Sequence, residues 1–306
     1  MPRAVRFDHY GGTEVLHVTD VETPSPAAGE VIVRVRAAGI NPGEAAIREG
    51  YLESRWPATF PSGEGSDLAG VVSAVGGGAA EFAVADEVLG WSWQRSSHAE
   101  YVAVPVGQLI RKPVGVSWPV AGSMYVVAVT AYAAVRAVSA GAGDTVVVSA
   151  AAGGVGSVVV QLLRIKGASV IGIASQPHHA WLAAQGATPV AYGDGLAQRI
   201  RAAAPDGVDA FIDLFGPDYV RLAVELGVPR DRIETIIAYD AAAEYGAKAE
   251  GSSDASTTDV LTEMTDLVAS GQIEIPIAAT YPLDEVRQAY TELEKRHTRG
   301  KIVLIP

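Results

Sequence analysis

Residues 145–164 read TVVVSAAAGGVGSVVVQLLR, and they are the strongest indication of the fold in this sequence. Its first apolar run predicts a strand, the glycines predict a turn, and the apolar residues that follow predict a helix. A phosphate can approach the backbone where side chains are absent, as at Gly153 and Gly154, while Gly156 lets the helix pack closely on the strand. The free N–H groups and the dipole of the helix N-terminus favour an anion. The stretch therefore predicts a site for a dinucleotide pyrophosphate, formed by Ala152, Gly153, Gly154, Val155 and Gly156.

The glycine pattern taken alone is incomplete. Ala151 stands where the first glycine of G-x-G-x-x-G would be, so the bare motif also fits a glycine turn that binds no ligand. The strand before the turn and the helix after it form the context in which such a motif binds a dinucleotide. Dinucleotide binding is the interpretation that this context favours.

The chain changes character near residue 120. Before it, short strands alternate with glycine and proline turns, as in VIVRVR at residues 31–36, which indicates a compact β-rich unit. After it, apolar runs alternate with helical patterns, as the βα units of a parallel sheet do. The predicted fold class is therefore α/β, with a Rossmann doubly wound parallel sheet and a separate β-rich domain.

Composition narrows the possible classes of function. The chain has no cysteine, which excludes disulfides, thiol nucleophiles, iron–sulfur clusters and cysteine-ligated zinc. A formal net charge of −12 disfavours nucleic acid and anionic membrane as partners. Residues 1–10 lack the apolar core of a secretory signal, and glycines interrupt the uncharged stretch at residues 145–163. We therefore expect a cytoplasmic protein without nucleic-acid or membrane partners.

The segment after the next predicted strand bears on the choice of cofactor. An acidic residue about 20 positions after the glycines would bind the ribose 2′-OH of NAD. Here SQPHH occupies residues 175–179, and it contains no acid. The Ser175 hydroxyl and the His179 imidazole can donate hydrogen bonds to a 2′-phosphate. The sequence therefore predicts NADPH rather than NADH, although each histidine also fits an exposed polar residue at a helix start.

An ordered series of short motifs runs along nearly the whole chain. They are AVRF at 4–7, GG at 11–12, GEVIV at 29–33, AGINP at 38–42, REGY at 48–51, PSGEGSDLAG at 61–70, AEYV at 99–102, TAY at 130–132, AAGGVG at 151–156 and RGKIV at 299–303. The series resembles the medium-chain dehydrogenase/reductase superfamily, and within it the zinc-free quinone oxidoreductase (zeta-crystallin-like) branch.

The resemblance implies a GroES-like catalytic domain formed by residues 1–120 and 266–306, and a Rossmann NADPH-binding domain formed by residues 121–265. It also implies an active site in the cleft between the domains, and a homodimer. Asn41 and Thr130 would border the nicotinamide, and Tyr192 would lie near the adenosine end. His179 aligns with a lysine that the family places near the 2′-phosphate.

The resemblance also shows where this chain departs from related proteins. Zinc alcohol dehydrogenases of the superfamily place a cysteine ligand where Asn41 stands, and a histidine–glutamate pair where Gly63 and Glu64 stand. Without those ligands we predict no metal site. Glu44 takes the place of an aspartate that is usual in the branch, which leaves the role of that carboxylate open.

These features predict an enzyme that transfers a hydride from NADPH to a quinone or an α,β-unsaturated carbonyl compound. Asn41 and Tyr51 are the candidate catalytic residues, Tyr51 as a hydrogen-bond donor to the substrate. Trp91 and Trp93 form an aromatic wall for a flat substrate or serve only as core or interface packing. The alternatives are a reductase of ketones or polyketide-like intermediates, a non-catalytic NADPH-binding protein with a structural or sensory role, and a binding module for another nucleotide.

Overall fold

The structure is a computed structural model that describes residues 1–306. The chain forms two compact units. The outer unit contains both chain ends and comprises Met1–Val126, Thr257–Ala269 and Ile277–Pro306, whereas the central unit comprises Val127–Ser256 and Ser270–Pro276. No helix is long and apolar enough to cross a membrane.

Fifteen strands carry the two units. They are β1 Arg3–Phe7, β2 His17–Asp20, β3 Glu30–Gly39, β4 Ser62–Gly63, β5 Asp67–Val75, β6 Glu87–Trp91, β7 Tyr101–Pro105, β8 Leu109–Arg111, β9 Thr145–Val148, β10 Ser169–Ile173, β11 Thr188–Val190, β12 Ala210–Asp213, β13 Ile233–Thr235, β14 Ile277–Pro282 and β15 Lys301–Ile305.

Ten α-helices accompany the strands, with short 3-10 turns between some of them. They are α1 Pro42–Arg48, α2 Trp118–Ala121, α3 Met124–Ala137, α4 Gly154–Ile165, α5 His179–Ala184, α6 Leu196–Ala203, α7 Pro217–Glu225, α8 Tyr239–Tyr245, α9 Thr258–Ala269 and α10 Val286–Glu294.

The outer unit is built mainly from antiparallel strands. Its larger sheet has the order β14-β15-β3-β5-β6-β8, with β7 also paired to β3, and its smaller sheet has the order β2-β1-β4. β15 pairs antiparallel with β3, so a strand from the end of the chain completes a sheet begun by its first third. A core of Val5, Phe7, Ile40, Tyr290 and Ile302, among others, joins the two chain ends.

The central unit contains one parallel sheet of five strands in the order β11-β10-β9-β12-β13. The chain moves outward from β9 in one direction through β10 and β11, then returns to place β12 and β13 on the other side. This is the Rossmann order, and its switch point lies at the carboxyl end of β9, where such sheets bind ligands. The predicted doubly wound parallel sheet is confirmed.

Two short helices, α1 and α8, form where the residues have little helical periodicity of their own. α1 falls within the segment 38–51, and its seven residues are too few to stand out as a periodic pattern. Buried Ala45 and Arg48 hold it in the outer unit. α8 falls within the small, polar stretch after Tyr239, where Ala241 and Ala242 bury their methyl groups in the central unit. Tertiary packing stabilises both helices.

Candidate functional site

The glycine turn, residues 150–156, connects β9 to α4 at the switch point of the central sheet. Ala150 adopts a φ of 46° as the chain leaves the strand. A Cβ on Gly156 would overlap the carbonyl oxygen of Ala150 and the Cα of Ala151, so only glycine fits this close approach of helix to turn. Ala151 and Ala152 are buried, whereas Gly153, Gly154 and Val155 remain partly exposed. The accessible edge of the turn is therefore almost free of side chains.

The start of α4 suits a pyrophosphate. Gly153 is the N-cap residue, and no side chain caps the helix. Most helices satisfy these N–H groups with Ser, Thr, Asp or Asn, and an uncapped N-terminus next to an exposed glycine edge leaves donors for an anion. The residues present therefore fit the phosphates of a dinucleotide.

A buried network ties the strand ends around this turn. The Ser149 hydroxyl donates to Oδ1 of Asp213 at 2.8 Å, and the Thr235 hydroxyl donates to Oδ2 at 2.7 Å. Oδ1 also accepts the backbone N–H groups of Phe215 at 2.9 Å and Gly216 at 3.1 Å. Burial raises the pKa of Asp213, and these donors oppose that shift. Asp213 thus fixes the carboxyl ends of β9, β12 and β13 together.

The predicted adenosine-end residues follow β10 and β11. Ser175 lies just beyond β10 and is partly exposed, and Tyr192 lies just beyond β11 with 51% of its surface exposed. His179 begins α5, and its Nε2 lies 3.1 Å from the carbonyl oxygen of Ala174. Nε2 is therefore the donor to this carbonyl, and Nδ1 is the ring atom left to face another group. The structure brings Ser175 and Tyr192 to the same edge of the sheet as the glycine turn.

Arg199 is a residue at this edge that sequence reasoning missed. Its guanidinium donates to the carbonyl oxygens of Ala191, Tyr192, Gly193 and Asp194, at 2.7 to 3.3 Å. It therefore shapes the loop that carries Tyr192 and places a permanent positive charge beside it. No sequence motif marks this arginine, because its partners are backbone carbonyls.

Asn41 lies in the outer unit at the N-cap of α1, and its side chain is 4% exposed. It belongs to a buried polar cluster formed by Asn41, Glu44, Asp67, Tyr290 and Lys301. Its Nδ2 donates to Oε1 of Glu44 at 3.1 Å and to Oδ2 of Asp67 at 3.0 Å. Its Oδ1 accepts from Nζ of Lys301 at 2.5 Å. Both amide hydrogens are thus donated within the cluster.

Lys301 and Asp67 were not among the predicted site residues. Lys301 Nζ donates to Oδ2 of Asp67 at 3.1 Å and to the carbonyl oxygen of Ile40 at 2.9 Å, and both side chains are almost fully buried. Oδ1 of Asp67 accepts the backbone N–H of Val126 at 2.7 Å. Burial raises the pKa of Asp67, and the nearby ammonium opposes that shift. Their presence in the motifs at 61–70 and 299–303 was the only sequence signal for them.

The structure explains the carboxylate of Glu44. Oε1 accepts the Ser66 N–H at 2.7 Å, and Oε2 accepts the Asn41 N–H and the Tyr290 hydroxyl, each at 2.8 Å. These bonds fasten the start of α1 to β5 and α10. Glu44 is therefore a buried structural acceptor at the centre of the polar cluster.

Glu64 forms a buried ion pair with an arginine. Arg48 Nη1 lies 2.9 Å from Oε1 of Glu64, and both side chains are buried. Burial raises the pKa of Glu64 to about 8, and the guanidinium opposes this. No group of three or more His, Cys, Asp or Glu side chains is placed to hold a metal ion.

Tyr51 and Thr130 occupy very different environments. Tyr51 lies in the turn after α1 and is 79% exposed, whereas Asn41, at the N-terminal end of the same helix, is buried. The structure therefore does not bring the two candidate catalytic side chains together. Thr130 lies on α3 in the central unit and is 5% exposed.

The two tryptophans also differ. Trp91 ends β6 and is 2% exposed, and its ring stacks on buried Tyr125 at a centroid distance of 4.6 Å and an angle of 11°. Trp93 lies beyond the strand, is 51% exposed and meets both rings edge to face. Trp91 is therefore core packing, and Trp93 presents the accessible part of this aromatic cluster.

Comparison with known proteins places the chain in a family. Residues 27–124 match the alcohol dehydrogenase GroES-like domain, and residues 185–304 match the family described as zinc-binding dehydrogenase. A quinone oxidoreductase from Pseudomonas aeruginosa is 30% identical, over 100% of this chain and 100% of its own length. This chain belongs to the quinone oxidoreductase family. The family lies within the medium-chain dehydrogenase/reductase superfamily, so the predicted family and fold class are confirmed.

Two solved structures similar to this chain agree with it in fold over its full length. The quinone oxidoreductase of Coxiella burnetii has a TM-score of 0.88 and 29% identity, and covers 100% of this chain and 99% of its own. A mycobacterial protein complexed with NADPH has a TM-score of 0.87 and 26% identity, with 100% of both chains covered. The chain is thus a member of an oxidoreductase family that uses NAD(P)H.

Proposed function

We propose that this protein is a zinc-independent, NADPH-dependent oxidoreductase that transfers hydride to a quinone or an α,β-unsaturated carbonyl compound. The observation that carries the proposal is the uncapped start of α4 at the switch point, where Gly153 and Gly154 leave the accessible edge almost free of side chains, in a chain that aligns end to end with a quinone oxidoreductase. The central unit would be the nucleotide-binding domain, and the outer unit the catalytic domain of a homodimer.

The environment of β10 supports NADPH over NADH. The segment from Ala174 to His179 contains no carboxylate that would bind a ribose 2′-OH and repel a 2′-phosphate. Ser175 supplies a hydroxyl at the end of β10, and Arg199 adds a positive charge beside Tyr192. The related mycobacterial protein was solved with NADPH, which adds to this support.

Gly154 and Val155 would hold the pyrophosphate through backbone N–H groups. The N–H of Gly153 donates to the carbonyl oxygen of Ala150 at 2.9 Å, so Gly153 would contribute by leaving the edge of the turn free of a side chain. NADPH, when bound, would supply a hydride, and a proton from solvent would complete the two-electron reduction of a quinone to a hydroquinone, leaving NADP⁺. The protein's part is to hold the cofactor, admit a flat acceptor and stabilise the charge that develops on its carbonyl oxygen.

We propose different roles for the two predicted catalytic residues. Asn41 would act by holding the start of α1 in place, since it could donate to a substrate only by giving up a bond to Glu44 or Asp67. Tyr51, 79% exposed, remains the candidate hydrogen-bond donor to the acceptor carbonyl.

The proposal is tested by titrating the protein with NADPH and NADH by fluorescence, then measuring NADPH oxidation with a panel of quinones and enones. We expect tighter NADPH binding, turnover of at least one acceptor class, and slower turnover for Tyr51→Phe and Asn41→Ala. The buried-ring variant Tyr290→Phe, which keeps the aromatic ring but loses the bond to Glu44, separates damage to the fold from loss of a substrate contact.

Each outcome has a distinct meaning. Tight NADPH binding without turnover of any acceptor would indicate a binding protein and overturn the catalytic proposal. Unchanged NADPH oxidation in both Asn41→Ala and Tyr51→Phe would show that the assigned active-site residues are wrong.

A further inference from the structure

We infer that Trp93 is a specificity-determining residue that selects multi-ring aromatic quinones as acceptors, and that Arg95 is the residue that positions it. The inference rests on the proposed reduction of quinones, because it names the acceptor class for that reaction. It depends on three features of the outer unit: a rigid aromatic cluster, its adjacency to the polar cluster, and a strained turn that links it to the loop of Tyr51.

The aromatic cluster formed by Trp91, Trp93 and Tyr125 is a fixed platform with one accessible ring. Trp91 and Tyr125 are each 2% exposed and lie parallel. Trp93 is held against both rings, with centroid distances of 6.4 Å and 6.3 Å, and its backbone N–H donates to Oε1 of Gln108. Half of its surface nevertheless faces solvent. An indole held on two buried rings loses little further freedom when a ligand stacks on it.

The aromatic cluster borders the polar cluster. Trp91 is directly opposite Asp67 in the antiparallel pair of β5 and β6, so the two side chains lie on the same face of the sheet. Tyr125 precedes Val126, whose N–H donates to Oδ1 of Asp67. Asp67 in turn accepts from Asn41. One buried carboxylate therefore contacts both Asn41 and the backbone next to the aromatic cluster.

Arg95 fixes the turn that follows Trp93. Its φ of 52° is a left-handed conformation that is uncommon for residues other than glycine. Its guanidinium donates to the carbonyl oxygens of Trp56 at 3.3 Å and Pro57 at 2.9 Å, in the loop after α1 that carries Tyr51. Strained residues of this kind persist where surrounding contacts hold them. Arg95 thus joins the turn of Trp93 to the loop that carries the candidate donor.

These features favour a flat aromatic acceptor. A half-exposed indole offers a π face and edge to a second ring, whereas a small aliphatic enone has no ring to stack. The net charge of −12 also favours a neutral quinone over an anionic acceptor. A two-ring quinone would gain from Trp93, and a single-ring quinone would gain less.

The test compares naphthoquinone, a single-ring benzoquinone and a small aliphatic enone at saturating NADPH. For Trp93→Leu we expect KM for naphthoquinone to rise about tenfold, KM for the aliphatic enone to change less than about twofold, and kcat to hold. Trp93→Phe should recover most of the loss. Val114→Ala, which alters a fully exposed apolar residue of the same unit, is the matched control.

Arg95→Gly accommodates the positive φ but removes both hydrogen bonds to the loop. We expect it to raise KM for naphthoquinone while the melting temperature stays within a few degrees of the wild type, a separation that a purely structural role would not produce. A fall in melting temperature with unchanged KM would overturn the positioning role.

A second readout does not need turnover. Calorimetric binding of naphthol, a two-ring analogue that is not a quinone, should weaken about tenfold in Trp93→Leu. If the wild type turns over no quinone but naphthol binding still depends on Trp93, the proposed function is wrong, whereas the binding of two-ring compounds at Trp93 is supported. If quinones turn over but neither KM nor naphthol binding changes in Trp93→Leu, the role of Trp93 is wrong, and the proposed function is unaffected. If Trp93→Leu changes the oligomeric state of the protein but not KM, Trp93 contacts a second copy of the chain, and the inference is overturned.

Discussion

Lys301 donates from Nζ to Oδ1 of Asn41 at 2.5 Å, across 260 residues of chain. This bond joins the last strand to the N-cap of α1 inside the outer unit. The same ammonium meets Asp67, so a single buried cation balances the carboxylate that holds the Asn41 amide. The position of the predicted catalytic asparagine therefore depends on a residue from the opposite end of the sequence.

Removing the Lys301 ammonium should destabilise the folded protein. We expect Lys301→Met to lower the free energy of unfolding by about 3 to 5 kcal/mol, because Asp67 would be left buried and unpaired. Denaturant unfolding measures this. The control is Lys295→Met, which breaks an exposed pair with Glu292 and should cost less than about 1 kcal/mol. Equal losses in the two variants would contradict the central role of Lys301.

Two glycines of the turn should respond differently to alanine. Gly156→Ala places a Cβ against the backbone of Ala150 and Ala151. We expect this variant to lose about 1 to 3 kcal/mol of its free energy of unfolding and to bind NADPH more weakly. Gly153→Ala meets only the Ala150 carbonyl oxygen, at 3.3 Å, so stability should change less. Its methyl group would still lie on the exposed edge and weaken NADPH binding. Thermal unfolding and cofactor titration distinguish the two, and an NADPH affinity unchanged in both variants would contradict the phosphate assignment.

Asp213 should affect NADPH affinity indirectly, because it holds the strand ends around the glycine turn. Asp213→Asn replaces an acceptor oxygen with an NH₂ group that faces donors, which should disturb the strand ends around the glycine turn. We expect the Kd for NADPH to rise about tenfold, measured by fluorescence titration. Asp218→Asn, on the exposed first turn of α7, is the control and should bind normally. Wild-type affinity in Asp213→Asn would show that the network does not shape the site.

Glu234 should make stability depend on pH. Burial raises its pKa from an ordinary 4.5 to about 9, and its Oε2 has no hydrogen-bond partner. Between these values the unfolded chain releases the proton while the folded protein keeps it, so this residue's contribution to stability falls as the pH rises from 4.5 toward 9.

Glu234→Gln is neutral at every pH and removes this dependence. The variant should gain about 1 to 3 kcal/mol over the wild type as the pH is raised through that range. Chemical denaturation at several pH values measures the difference. Glu225→Gln, at an exposed site paired with Arg201, should follow the wild type. A constant difference between Glu234→Gln and the wild type at all pH values would refute the prediction.

The strand, glycine turn and helix at residues 145–164 can be predicted from local sequence, because each depends on the spacing of neighbouring apolar residues and on the missing side chains of glycine. The absence of cysteine ligands and of an acid after β10 is also evident from the sequence. These features are local, and local patterns can be read without knowing what packs against them.

Long-range packing sets the partners of Asn41, the hydrogen bond from Ser149 to Asp213, the contacts of Arg199 and the different exposure of Trp91 and Trp93. Lys301 and Asp67 are 234 residues apart, and Ser149 and Asp213 are 64 apart. Burial and hydrogen bonding at such separations arise from sheet order and strand register, which no short pattern encodes. Trp91 and Trp93 are only two residues apart, yet their side chains differ in exposure. Trp91 ends a strand inside the core, whereas Trp93 begins a turn at the surface.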